Sequence, residues 1–192
     1  MPAMYGGEQE VKDELEEIAS VSKPIPKDVH YIIYSDGSGS TDHFGGYAAI
    51  AVTPSLEDHC YIASCGCATH TEVGRAEFMA VLNSLHSIFD VRGINKHSSA
   101  VEMCENLGGR RIRVHIISDR EDLVGSINGM YSRKSNPDLW AQFAWYEQYM
   151  DITASHTKRE TNPTQSLADK TASLMRCVLK DFVDMQSELN RM

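Results

Sequence analysis

Asp36, Glu77, Asp119 and Asp169 each stand at the end of an apolar run or in the first turn of a helical one, where a carboxylate has no core to serve. Four acids so placed suit hard divalent cations, which take oxygen ligands. Singly, none demands that reading. An Asp before a Gly is an ordinary turn residue, and an acid in the first turn of a helix is favoured there by the helix dipole. A second constellation, His59, Cys60, Cys65, Cys67 and His70, raises zinc. Cys65 and Cys67 lie two apart on a strand-like run, however, and lack the CxxC knuckle of structural zinc sites.

The elements that must position these acids follow from periodicity. VHYIIYSDGSGS reads as a strand over about 29–36, rich in β-branched and aromatic residues and closed by Gly37, Ser38 and Gly39, so Asp36 sits at its exit. In TEVGRAEFMAVLNSLHSIF, Ala76, Ala80, Val81, Leu85 and Ile88 recur at helical spacing and form a stripe for packing on a sheet. Glu77 lies on that stripe, where an ionised carboxylate is costly without a cation or a hydrogen-bonded partner. RRIRVHIISDRED reads as a buried strand of a parallel sheet, with Asp119 at the same exit position. Ligands of open α/β sheets bind at the carboxyl ends of strands near a topological switch, so the two strand-end acids point at one crevice. Asp169 falls just inside a helix whose Leu167, Leu174, Met175, Val178, Leu179 and Phe182 keep helical spacing.

The rest of the chain is organised around these segments. Strands over about 29–36, 45–53 and 59–67 form an antiparallel meander, and the Glu77 helix runs to about Phe89. An inserted short helix near 98–108 has a capping box at Ser99 and Glu102 and a stop at Gly108. A fourth strand (111–118), helices near 122–129 and 137–148, a fifth strand (150–155) and a helix over about 165–189 complete the order. Residues 1–27 read as an acidic tail, helical in part over Glu8 to Ala19 and set off by Pro24 and Pro26; residues 28–192 read as one domain.

Taken in order, IIYSDGSGSTDHFGGYAAIAV, GRAEFMAVLNSL, HIISDREDLVGSING, NPDLWAQF and SHTKRETN followed by SLADKTA resemble ribonuclease H of type 1 over roughly residues 29–176. The resemblance implies a ribonuclease H-like α/β fold: a five-stranded mixed sheet of order 3-2-1-4-5, strand 2 antiparallel, flanked by helices. It implies two Mg²⁺ ions, with Mn²⁺ as a substitute, held by Asp36, Glu77, Asp119 and Asp169. Asp36 is assigned to both ions, Glu77 and Asp119 to the leaving-group side and Asp169 to the nucleophile side. His156, expected in a polar loop before the last helix, would assist proton transfer or product departure. The partner implied is an RNA/DNA hybrid, cut endonucleolytically in its RNA strand to leave 5′-phosphate and 3′-hydroxyl ends. Gly37, Ser38, Gly39 and Ser40, with Glu77, are expected to meet the 2′-hydroxyl that distinguishes RNA. Arg75 and Asn162 are expected to contact substrate as well.

Three departures stand out. Pro163 to Gln165 are additional residues between Asn162 and the SLAD segment, which would displace Asp169. Arg120 stands where a small Ser usually follows the third Asp. Only MYSRKS separates ING from NPDLW, where many relatives carry a longer basic protrusion. Two other readings stay open: a hybrid- or partner-binding module without turnover on the same fold, and a related nuclease acting on DNA or structured RNA.

Bulk properties set the frame. At 192 residues with 42% hydrophobic and 8% aromatic content, the chain supports one domain with a substantial core. No apolar stretch reaches the length of a membrane span, and the acidic N-terminus has the wrong charge for a secretory or mitochondrial signal. Five cysteines, an odd number, do not make a disulfide framework, so a reducing, cytoplasmic setting is expected. A net charge of −9 argues against phosphate as a partner, but residues 1–22 hold six acids and one Lys, a balance of −5. The remaining −4 is offset by two divalent ions, which leaves Arg75, Arg133, Lys134, Lys158 and Arg159 to face phosphate. The acidic tail is a candidate contact for a protein partner.

Overall fold

The computed structural model describes residues 21–54, 61–92, 111–158 and 162–191. The tail through residue 20, the helix expected near 98–108, His59, Cys60, Arg159 and Glu160 lie outside these residues.

Five strands, β1 (Tyr31–Gly39), β2 (Phe44–Val52), β3 (Tyr61–Thr69), β4 (Ile112–Ser118) and β5 (Met150–His156), form one sheet in the order β3-β2-β1-β4-β5. β2 runs antiparallel to both β1 and β3, while β1, β4 and β5 are parallel. This is the mixed sheet expected from the sequence. Helices α1 (Val73–Val91), α2 (Glu121–Ile127), α3 (Pro137–Tyr146) and α4 (Pro163–Leu189) flank it. No helix among the described residues is long and apolar enough to cross a membrane.

The stripe on α1 does what its spacing predicts: Ala76, Ala80, Val81, Leu85 and Ile88 are all buried with Ile33, Val114 and Ile116 in one core. Beside that stripe α1 carries Phe78 and Phe89 into an aromatic cluster on α3 and the segment after it, with Phe78 4.3 Å from Trp140 and Phe89 5.4 Å from Trp145 between ring centroids. Packed against both sheet and α3, α1 is a rigid mount for Glu77. Between α2 and α3, Arg133 takes over from any protrusion: its guanidinium holds both Glu147 oxygens at 2.7 Å and lies 4.5 Å over the Trp140 ring.

The large apolar residues of α4, which keep the expected helical spacing, do not form its packing face. Its buried residues are Gln165, Ala168 and Ala172, whereas Leu167, Leu174, Val178 and Phe182 are exposed. The cause is a close approach: a Cβ at Gly46 of β2 would collide with the Ala172 carbonyl oxygen, so only small side chains fit between helix and sheet.

The last residues assigned to the tail are docked. Asn128 Nδ2 donates to the Val21 and Ala154 carbonyls, the Lys23 amide donates to Ala154, and Val21 is buried.

One buried titratable group belongs to the core rather than to a site. His115 on β4 has Nδ1 2.8 Å from Thr153 Oγ1 and Nε2 2.9 Å from Ser155 Oγ, and burial lowers its pKa to about 4. The unfolded chain, with His near about 6.5, therefore takes the proton first, and stability is lost as pH falls from there toward 4. Urea midpoints measured between pH 4 and 7 should fall more steeply on acidification in the wild type than in His115→Asn; parallel curves would remove His115 as the cause.

Candidate metal centre

β4 pairs with β1 only as far as Tyr34↔Ile117, whereas β1 continues beside β2 to Gly39↔Gly45. Beyond Tyr34, β1 therefore has no strand on its β4 side, and the opening so made is where the acids meet. Asp36 lies within β1 rather than at its exit: Gly37, Ser38 and Gly39 are strand residues paired with β2, and only Ser40 of the expected turn is past the end. Side chains alternate along a strand. Tyr34 and Ser38 contact Asn162 and Ser173 of the α4 segment, so Asp36 shares the α4 face. Glu77 comes from α1 on the other face. A Cβ at Gly37 would collide with the Glu77 backbone nitrogen, so the absence of a side chain lets α1 press this close. Asp119 follows the last residue of β4.

Ligand oxygens of Asp36, Glu77 and Asp119 lie within 4.8 Å of one another. Asp36 is 1% exposed and Glu77 2%, and Glu77 Oε2 is buried with no hydrogen-bond partner among the described residues. Burial raises the Asp36 carboxyl to about 7, with the charges of Asp119 and Asp169 and a hydrogen bond to Asp169 adding to it and a hydrogen bond to Glu77 opposing it. The Glu77 carboxyl is also pushed well up, by burial first and then by Asp36. The three converging acids, the orphaned oxygen and the mutual repulsion fit a divalent cation, which would supply the missing charge.

Asp169 is beside Asp36 despite the additional residues before it. Asn162 accepts from the Thr164 amide at 2.8 Å as N-cap, Pro163 is the first helical residue, and the insertion becomes the first turn of α4. The sequence reading had expected a displacement; helix extension at the N-terminus leaves the later turns in place. Gln165, which sequence reasoning overlooked, fixes this end by donating from Nε2 to the Ser35 carbonyl at 2.8 Å while fully buried. A long polar side chain among small ones on the sheet-facing side of a helix is the signal that marks it.

His156 ends β5 instead of lying in a loop. Its amide donates to Ser22 Oγ, and Nε2 lies 3.0 Å from the Asp119 carbonyl. A carbonyl only accepts, so Nε2 carries the proton and the lone pair is on Nδ1. The positions expected to bind substrate have local duties. Asn162 caps α4 and reaches Tyr34 Oη at 3.4 Å. Arg75 forks onto Asp138 at 2.9 and 2.5 Å and touches Asn136 at 3.3 Å. Arg120 is turned onto Asp122 at 2.6 and 3.0 Å, with its guanidinium against Gly74. No metal-suited group among the described residues contains a cysteine.

No protein-family model matches the sequence, and no curated protein does. Solved structures do match. The N-terminal RNase H domain of Rv2228c from Mycobacterium tuberculosis, solved as a fusion with maltose-binding protein, is 16% identical with a TM-score of 0.61, over 81% of this chain and 99% of that one. LC11-RNase H1, solved in complex with an RNA/DNA hybrid, is 17% identical with a TM-score of 0.58, over 78% and 98%. The chain has the ribonuclease H fold. The same fold aligns over 81% of this chain with 22% of the prototype foamy virus protease-reverse transcriptase, at 19% identity and a TM-score of 0.53. Within this ribonuclease H fold, the acidic cluster occupies the open end of the sheet beside β1 and β4.

Two outcomes follow from the site's geometry. A carboxyl raised in the fold contributes stability below its unfolded value near 3.8 and loses it as pH rises through about 7. In chelator at pH 8, Asp36→Asn should therefore melt higher than the wild type, by about 2–4 °C for each kcal/mol relieved, and the gain should vanish at pH 4. A lower melting temperature at both pH values would make Asp36 a structural acid. Gly37→Ala should force α1 off β1, costing about 1–3 kcal/mol in urea unfolding; an unchanged midpoint would show that the close approach carries no constraint.

Proposed function

We propose that this protein is a metal-dependent endonuclease that hydrolyses the RNA strand of RNA/DNA hybrids. The observation that carries the reading is the cluster of Asp36, Glu77 and Asp119, with Asp169 beside it, in a ribonuclease H fold. A structure sharing that fold holds an RNA/DNA hybrid, which favours the same substrate here. Asp36, Glu77, Asp119 and Asp169 would hold two Mg²⁺ ions, and Mn²⁺ would serve in their place, because carboxylate oxygen is the ligand both prefer. Such a pair supplies an acidified water and charge neutralisation at the departing oxygen, giving 5′-phosphate and 3′-hydroxyl ends.

The chain's own residues do the remaining work. Asp36 is central because Glu77 from α1, Asp119 after β4 and Asp169 from α4 all reach it. His156, whose ring is oriented by the Asp119 carbonyl and whose Nδ1 is buried with no hydrogen-bond partner among the described residues, would assist proton transfer or product departure. Selectivity for RNA would come from the open edge of β1 at Gly37 to Ser40 and from Glu77, within reach of a 2′-hydroxyl. Arg75 contacts phosphate only by exchanging Asp138 for it. That exchange is accessible, since both side chains are solvent-exposed to a third or more and surface ion pairs are weak. Docked residues 21–23 and the body from residue 28 would form the catalytic domain, and the more N-terminal acidic segment would contact a protein partner.

A labelled RNA/DNA hybrid incubated with Mg²⁺ should be cut within its RNA strand, in preference to duplex DNA and single-stranded RNA. Asp36→Asn, Glu77→Gln and Asp119→Asn should each abolish cutting without loss of melting temperature, and His156→Ala should slow turnover without ending it. No wild-type cleavage above the Asp36→Asn control would leave a binding module; preference for duplex DNA would assign another nuclease of the same fold.

A further inference from the structure

Half of α4 is a helix without a body beneath it. Ala172 is its last buried residue, and from Lys180 to Arg191 every residue is exposed except half-buried Val183. A helical segment of this length is marginal in water by itself. Yet it carries large apolar side chains: Leu167, Leu174, Val178, Phe182, Met185 and Leu189 are each 51–61% exposed. At about 100° per residue they fall in one arc of about 80° along the helix, and from Val178 to Leu189 the steps of four, three and four residues are those of a coiled-coil seam. The seam points away from the domain, since Arg176 and Lys180 on the other side reach Gly39 and Asp42 of the β1–β2 turn.

We propose that α4 pairs antiparallel with α4 of a second copy of this chain. The charges beside the seam choose both partner and direction. One flank carries Lys170 near its start, Asp181 near its middle and Glu188 near its end; the other flank carries no charge, with Met175, Leu179 and Gln186. Antiparallel pairing places like flanks together, so with the two-fold axis near residue 179 each Lys170 meets Glu188 of the other copy, twice per dimer. Parallel pairing would press the charged flank onto the uncharged one. The two ends of the charged flank are thus complementary when one copy is reversed, which an unrelated partner need not be. Pairing covers the apolar stripe on both copies and gives the projecting turns the packing they lack.

Light scattering of the full chain over about 1–100 µM should give twice the chain mass at the upper end. Phe182→Glu should give monomer with the near-ultraviolet circular dichroism of the wild type, because Phe182 is 54% exposed and lies outside the core cluster. Lys170→Glu should weaken the dimer about fivefold by opposing like charges twice, and adding Glu188→Lys should restore it. A monomer throughout the range, or a dimer indifferent to Phe182→Glu, overturns the proposal. A dimer that Phe182→Glu breaks but the charge swap does not restore overturns the antiparallel arrangement.

Discussion

The whole arrangement turns on carboxylates held together in a buried setting at one end of the sheet. Asp36 and Glu77 are almost fully buried and within reach of Asp119. In an apolar setting each ionised form is costly, and proximity makes the second costlier than the first. Both carboxyls accordingly take on protons at pH values where isolated ones would have lost them. Such a cluster persists only if the surrounding structure fixes it. α1 is gripped by both the sheet and the aromatic residues of α3, and α4 is tied to β1 through Gln165. The packing that holds the acids is apolar and remote, so the site need contribute nothing to its own stability.

Close backbone approach is the second device. Gly37 brings α1 to β1, and Gly46 brings α4 to β2, each at a place where a Cβ would collide with helix backbone. Two helices on opposite faces thereby deliver acids to one strand end, and the early end of β4 leaves the space in which they meet. Two guanidinium groups next to the acids in sequence are each matched with a carboxylate: Arg75 with Asp138 and Arg120 with Asp122. Arg120 illustrates the point. It stands near enough to Glu77 and Asp119 for their charges to raise its pKa, but Asp122 is its largest influence and accepts from its Nε and Nη2. A cation next to the cluster is thus turned aside from it.

The strands themselves, the helical mount of Glu77 and the placement of the acids were legible in local patterns: β-branched runs, a period of 3.6, an acid at a run's end; the strand order followed from the resemblance to ribonuclease H. Three features were not, and for a common reason. Asp36 lies within its strand because β2 pairs past it, and pairing is not local. Asn162 caps a helix that begins earlier than the SLAD segment indicates, because Pro163 at its first position reads equally as a break. Arg75 reads as a phosphate contact until Asp138, remote in sequence, is placed against it. Residue type and spacing reveal what a side chain is able to do; only the tertiary partner decides which capacity is used.

α4 joins these themes. A helix that must bring Asp169 to Asp36 has to lie close to β1 and β2, and closeness admits only Ala168, Ala172 and the aliphatic stem of Gln165 on its inner side. Large apolar residues at helical spacing are therefore excluded from the sheet by the requirement that places the acid. They appear on a side of the helix that the domain does not use. Hydrophobic periodicity identifies the helix but not its inner face, because the stripe with the greatest apolar area is directed outward. The constraint that builds the acidic cluster thus also produces the exposed seam, which makes self-pairing of α4 a by-product of the same close packing.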